Sequence, residues 1–226
     1  MIKRLIGFVK REKLKYPGKP GVLLIYQRCL VIAKEKIAKK VMELKRDSTF
    51  TAQEHMFMCS LFPKKMLDII ISELKPTSIL DVGCGTGVSL QYFIQNGIDS
   101  RGVENSEIAI SNSPVKDKIT KHDLRKELDL KKKFDLVWSF EVIEHIHPQY
   151  EQSFLNTLTK HAPVVILSAA QPGQGGHGHF NEQEPAYWKK RFKDLGFVYD
   201  AEFTQLLKDS EDILSENILC FRQVKG

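Results

Sequence analysis

The stretch Ile79–Gly87, ILDVGCGTG, decides the fold. An apolar run enters three glycines spaced G-x-G-x-G, and a helical pattern, VSLQYFIQNG (Val88–Gly97), follows at once. That order predicts a buried strand, a tight turn and a helix. Gly83, Gly85 and Gly87 tolerate positive φ and let the backbone approach a bound molecule closely. Val88 stands where a dinucleotide fingerprint would place its last glycine. A plain strand–helix turn with no ligand would look the same, so the neighbouring segments have to decide.

Outward from the loop the pattern alternates. Strands are predicted over SILDVG, DSRGVEN, VKDKITKHD (the weakest), FDLVWSF (the strongest), PVVILSAA, FVYDAEF and NILCFRQV. Helices are predicted over GVSLQYFIQNG, SEIAISNS, QYEQSFLNTLTKH and NEQEPAYWKKRFKDLGF. Upstream, Ser48–Pro76 reads as one or two helices, with Pro63 starting the second and Pro76 beyond its end. Strand–helix alternation at this spacing means crossover connections. The expected fold is α/β: a doubly wound, Rossmann-like, mostly parallel sheet with helices on both faces. Residues 48–226 form this body, and residues 1–47 a basic helical extension.

Two carboxylates give the loop chemical company. Glu104 ends the second strand, where a ribose diol can be held. Asp123 follows the third, where an adenine amino group can be read, and Asp117 is an alternative in the same segment. Glu104 also lies about 20 residues past the loop, the spacing of a nicotinamide site. An oxidoreductase is therefore an alternative, opposed by the missing last glycine and by the acid after strand three. A domain that binds without catalysing is a third reading. The intact loop and the crowded segment after strand four count against it.

ILDVGCGTG, Glu104 and Asp123, in this order, resemble the class I S-adenosylmethionine-dependent methyltransferases over roughly residues 50–226. The resemblance implies that Asp81, Gly83, Cys84, Gly85 and Gly87 cradle the methionine part and adenosine of S-adenosylmethionine. It implies Glu104 on the ribose and Asp123 with Leu124 near the adenine. Ser139 and Phe140, at the end of strand four, would line the cofactor.

Strand four is followed by FEVIEHIHP, Phe140–Pro148. Ligands in this fold bind beyond the carboxyl ends of the strands. As one helical turn, Glu141, Glu144 and His145 would share a face. Two carboxylates and an imidazole suit Mg²⁺ or Mn²⁺. The motif resembles that of quinone-ring O-methyltransferases and of enzymes that methylate the terminal ribose of small RNAs. In the latter a further histidine after strand five completes a metal site. Here GQGGHGHFNEQEPAYW (Gly173–Trp188) offers His177 and His179, with His179 preferred because it is nearer the next helix. Its glycines read as an active-site lid. Without a metal, Glu141 and Glu144 would cap a helix start, and His145 or His179 would act as a general base.

The chain's 34 Lys/Arg and 28 Asp/Glu are unevenly placed. Residues 1–46 hold 14 basic residues against Glu12, Glu35 and Glu43, a net +11. The remainder holds 20 basic and 25 acidic residues, a net −5. Such a split points the extension at something anionic, RNA or a membrane surface; a solvated lysine-rich helical face reads equally well. The four cysteines form no C-x-x-C pair, so neither a zinc site nor a disulfide framework is expected, and a cytoplasmic setting fits. The longest apolar stretch, Gly21–Ala33, contains Arg28 and is too short to span a bilayer, which leaves peripheral membrane contact. The expected activity is methyl transfer to a hydroxyl of a sugar, glycan or other small molecule. RNA terminal ribose is the second choice, opposed by the acidic body and the lack of an aromatic–basic stacking module.

Overall fold

The computed structural model describes residues 61–176 and 178–224. The expected extension, the helix beginning at Ser48 and His177 lie outside these residues.

Helix α1 (Lys64–Ile69) starts after Pro63 and runs into a π turn, Ile70–Leu74. It ends at Lys75, whose φ of 46° turns the chain ahead of Pro76. Then come β1 (Ser78–Val82), α2 (Val88–Gln95), β2 (Asp99–Glu104), α3 (Glu107–Ser111), β3 (Ile119–Lys121) and β4 (Leu136–Ser139). The chain continues through α4 (Glu151–His161), β5 (Val164–Ser168), α5 (Pro185–Asp194), β6 (Phe197–Tyr199), α6 (Ala201–Lys208) and β7 (Ile218–Gln223).

The seven strands form one sheet in the order β3-β2-β1-β4-β5-β7-β6. The pairs among β1 to β5 are parallel, while β7 runs antiparallel between β5 and β6. Alternation along the strands divides the core into two layers. Ile79, Leu136, Trp138, Ile166, Ile218 and Cys220 face α1, α2 and α6 through Met66, Leu67, Ile70, Phe93, Phe203 and Leu207. Leu80, Val137, Val165, Leu167, Leu219 and Phe221 face α4 and α5 through Phe154, Leu155, Leu158, Trp188 and Phe192. Both faces are covered at the centre, so β1, β4, β5 and β7 read as nearly unbroken apolar runs, whereas β2 and β3 at the edge expose Asp99, Arg101 and Lys121. Burying each large side chain contributes about 1.5–3 kcal/mol.

Three local expectations are corrected. FVYDAEF is not all strand: β6 stops at Tyr199 and α6 starts at Ala201. The Asp200 carboxylate accepts the Phe203 N–H at 2.9 Å and caps the helix, and Phe203 and Leu207 bury its inner face. The NEQEP stretch enters α5 only at Pro185, which has no N–H to offer a longer helix. FEVIEH is not an α-helical turn. Ile143–His145 is a 3₁₀ turn, and Glu141 before it has φ +56°. The Glu141 N–H is given to Ser168 Oγ at the end of β5 and so cannot join a helical ladder.

Candidate active site at the carboxyl edge of the sheet

β1 and β4 are adjacent strands whose connections leave in opposite directions, and the crevice of such a sheet opens there. The turn after β1 is fixed to β2, because the Gly83 and Cys84 N–H groups both donate to the Val103 carbonyl, at 2.8 and 3.1 Å. Gly83 has φ +78°, and a Cβ there would lie 2.4 Å from a Val142 methyl. Gly87 has φ +77°, and its Cβ would lie 2.9 Å from Ser113 Oγ. A side chain at either position is therefore excluded on both conformational and steric grounds. Gly85, at φ +55°, donates its N–H to Glu104 Oε2 at 2.9 Å. Glu104 Oε1 accepts the N–H groups of Asn105 and Ser106, each at 2.7 Å. Three of about four lone-pair positions on this carboxylate are thus taken by the loop and by the start of α3.

Asp81 is buried beneath the turn, and its Oδ2 has no hydrogen-bond partner. Burial, and then the nearby Glu104 charge, push its pKa from 3.8 up to about 8. A buried acceptor without a donor at a glycine cradle fits a ligand that brings a donor or a positive charge, and S-adenosylmethionine carries both. Cys84 is buried, and Ser139 Oγ donates to the Val82 carbonyl at 2.9 Å, tying the ends of β4 and β1 together. Phe140 stacks on Trp138, with centroids 5.3 Å apart and planes 7° apart. His122 N–H donates to the Glu104 carbonyl, so Asp123 and buried Leu124 follow β3 at its carboxyl end, whereas Asp117 precedes the strand. The Asp123 carboxylate is paired with Arg125 Nε and Nη2 at 2.8 and 2.9 Å, and this contact lowers its pKa to about 2.

A second cluster adjoins the end of β4. One ligating atom each from Glu144, His145 and His179 lie within 4.8 Å of one another. Glu144 is fully buried, and neither carboxylate oxygen has a donor partner. Burial and then the neighbouring Glu141 charge raise its pKa well above the ordinary range. Contact between the Glu141 and Glu144 carboxyls needs a proton on one of them, or a cation between them. Glu141 lies outside the group of three. Its Oε1 accepts from Asn217 Nδ2 at 3.2 Å, and burial raises its pKa too.

Both histidines are held by Nδ1. That of His145 donates to the Gly178 carbonyl at 3.1 Å, and that of His179 to Glu182 Oε1 at 2.9 Å. Each ring thereby presents Nε2 as its lone-pair nitrogen, the arrangement usual for metal-binding imidazoles. The rings meet edge to face with centroids 4.9 Å apart. The glycine-rich loop is pinned beside them, since the N–H groups of Phe180 and Asn181 both donate to the Glu144 carbonyl, at 2.8 and 3.1 Å. The Phe180 ring remains 60% exposed at the rim, 5.9 Å from His147. A buried oxygen pair and two imidazoles form a donor set that fits a divalent cation.

Sequence reasoning missed Ser168, Asn217, Glu182 and Glu151. The last accepts from Asn181 Nδ2 and Tyr187 Oη at 2.9 Å and from Arg191 Nε at 2.7 Å, and so joins α4, α5 and the loop. No period marks these residues. The one visible signal was Pro185, which leaves Asn181–Glu184 as extended chain with side chains able to turn inward.

The family described as "Methyltransferase domain" matches residues 50–202. No curated protein matches the sequence. Among solved structures, magnesium protoporphyrin IX methyltransferase from Synechocystis PCC 6803, with bound SAM, is 17% identical. That match covers 84% of this chain and 97% of the other, with a TM-score of 0.53. The methyltransferase domain of bacterial CtHen1-C is also 17% identical, covering 71% of this chain and 98% of the other, at 0.53. The sugar N-methyltransferase KedS8 from Streptoalloteichus sp ATCC 53650 is 13% identical, covering 74% and 88%, at 0.57. At these identities the solved structures establish the shared sheet and helix arrangement. The family match, across two thirds of the chain, shows that this protein belongs to the methyltransferase domain family: it is an S-adenosylmethionine-dependent methyltransferase.

Proposed function

We propose that this enzyme O-methylates a sugar-type hydroxyl held at a divalent cation on Glu144, His145 and His179. The observation that carries the reading is Glu144, a fully buried carboxylate without a donor, within 4.8 Å of two imidazoles. Burial keeps such a carboxyl protonated, and a divalent cation would take the place of that proton and pair the charge. When bound, S-adenosylmethionine supplies an electrophilic methyl carbon, and Mg²⁺ or Mn²⁺ would supply Lewis acidity that lowers the pKa of the hydroxyl.

The protein's own part is placement. Asp81, Gly83, Cys84, Gly85, Gly87, Glu104, Asp123, Leu124, Ser139 and Phe140 would hold the cofactor. Glu144, His145 and His179 would fix the acceptor oxygen, with Glu141 beside Glu144 adding negative charge. The exposed Phe180 ring offers an apolar surface to the acceptor's flat face. In the absence of a cation, His145 or His179 would take the hydroxyl proton as a general base.

RNA terminal ribose is the second reading, favoured by the net +11 of residues 1–46 together with the Glu-x-x-Glu-His and His179 pattern. Both acceptors present vicinal hydroxyls suited to a cation.

The test is methyl transfer from labelled cofactor to sugar and short-RNA acceptors, with excess chelator and after adding Mg²⁺ or Mn²⁺. Loss with chelator and recovery with either ion is expected. Glu144→Ala should remove at least 90% of activity, on the order of 10-fold or more for losing a ligand or its partner, while cofactor binding survives. Full activity in chelator rejects the cation. Salt-sensitive transfer to RNA alone selects the second reading.

A further inference from the structure

We infer that Glu182 is a positioning residue: it sets the tautomer of His179 and ties the order of the glycine-rich loop to the donor set. This rests on the cation reading of the same site. Its carboxylate sits at the centre of the loop. Oε2 accepts the Gly173 N–H at 2.9 Å, while Oε1 accepts both the Gly175 N–H at 2.7 Å and the His179 Nδ1–H at 2.9 Å. The His179 side chain is 5% exposed and that of Glu182 is 18% exposed, so water competes poorly for either.

The loop is shaped to the ring. Gly173 and Gly175 have φ of +85° and +68°, which aims their N–H groups at one carboxylate. A Cβ on Gly176 would lie 2.4 Å from His179 Nε2, so the backbone passes where a side chain would stand. With Nδ1–H committed to Glu182, Nε2 is left as the lone-pair nitrogen of a ring grouped with Glu144 and His145. The opposite tautomer would put a hydrogen there and two lone pairs against each other at Glu182. A carboxylate behind a metal-binding imidazole commonly changes metal affinity 10- to 100-fold. Here the same carboxylate also closes the loop, so ordering of Gly173–Gly175 and presentation of Nε2 are one event.

The experiment uses the full chain. Mn²⁺ binding is followed by the paramagnetic resonance of free Mn²⁺, S-adenosylhomocysteine binding by calorimetry, and histidine tautomers by long-range ¹H–¹⁵N spectra of the metal-free protein. Glu182→Ala should weaken Mn²⁺ binding about 10- to 100-fold and convert His179 from the Nδ1–H form to a mixture, with S-adenosylhomocysteine affinity unchanged. Glu182→Gln keeps the volume and one acceptor oxygen and should fall between. It also serves if the alanine variant does not fold. Unchanged Mn²⁺ affinity and an unchanged tautomer in both variants would overturn the inference while leaving the cation reading intact. If the native chain binds no Mn²⁺, the cation reading fails on its own, and the spectra still decide what Glu182 does to His179: a retained Nδ1–H form in the variants refutes the positioning role.

Discussion

Asp81 shows how much one buried carboxyl can report. It lies at the end of a parallel strand, under a glycine turn, with one oxygen unpaired and Glu104 nearby. In the unfolded chain it loses its proton near pH 4, whereas in the folded, ligand-free protein it keeps that proton up to about 8. Between those values the folded state binds a proton that the unfolded state has released. The stability associated with Asp81 is therefore complete below pH 4 and declines as pH rises through 8. Asp81→Asn imitates the protonated form at every pH. Its stability relative to the native protein should rise by a few kcal/mol between pH 5 and pH 8, at most about 1.4 kcal/mol per pH unit. Denaturant titrations of both proteins at the two pH values measure this difference, and the other titrating groups cancel in it. Parallel behaviour would mean that Asp81 is ionised and paired in solution.

Among the elements, the join between α4, α5 and the glycine-rich loop matters most for the site. Glu151 is buried at the start of α4 and takes donors from Asn181, Tyr187 and Arg191, while Asn181 N–H is hung on the Glu144 carbonyl. Glu151→Ala strands a part-buried guanidinium and a buried amide, which should cost about 3–5 kcal/mol by thermal or denaturant unfolding. Glu151→Gln, which keeps an acceptor, should cost less than half as much. A surface-like loss under 1 kcal/mol for the alanine variant would show that the network contributes little. This network also marks the limit of what sequence could tell. The central strands β1, β4, β5 and β7 were legible because burial on both faces leaves apolar runs, and the turn after β1 because its glycines are a local necessity. The second half of FVYDAEF was misread because an Asp200 cap and the Phe203–Leu207 spacing compete with a short apolar run that also suits a strand. FEVIEH was read as a helical turn because helical spacing groups its acids, yet the structure groups Glu144 with His145 and His179 through a 3₁₀ turn and a loop 33 residues on. Glu182 left no trace, since three donors converge on it through glycine turns and glycine turns have no period.

At the scale of the whole chain, charge is divided between a basic stretch and an acidic body, net +11 over residues 1–46 and −5 over the rest. Among the described residues no helix is long and apolar enough to cross a membrane. In the body, many basic side chains are already matched: Lys121 with Glu107, Arg125 with Asp123, Lys132 with Asp99 and Lys160 with Glu127. Such exposed pairs add little stability, but they leave the surface without a strong positive field. Any affinity for a polyanion is therefore expected to come from residues 1–46. If that stretch engages RNA, about four to six phosphate contacts would give a salt slope in log K of roughly −3 to −5. If it engages an anionic membrane, each Lys or Arg near the surface contributes about 1 kcal/mol. Lys39→Glu with Lys40→Glu in the full chain, and a chain beginning at Ser48, should both keep native affinity for S-adenosylhomocysteine. The double variant should weaken binding to a short RNA or to phosphatidylserine vesicles at least 10-fold, and the shortened chain should abolish it. Comparing the two partners at low and moderate salt separates an RNA-directed stretch from a membrane-directed one. Undiminished binding to both would return residues 1–46 to a solvated basic face, and a shortened chain that cannot fold would make them part of the body.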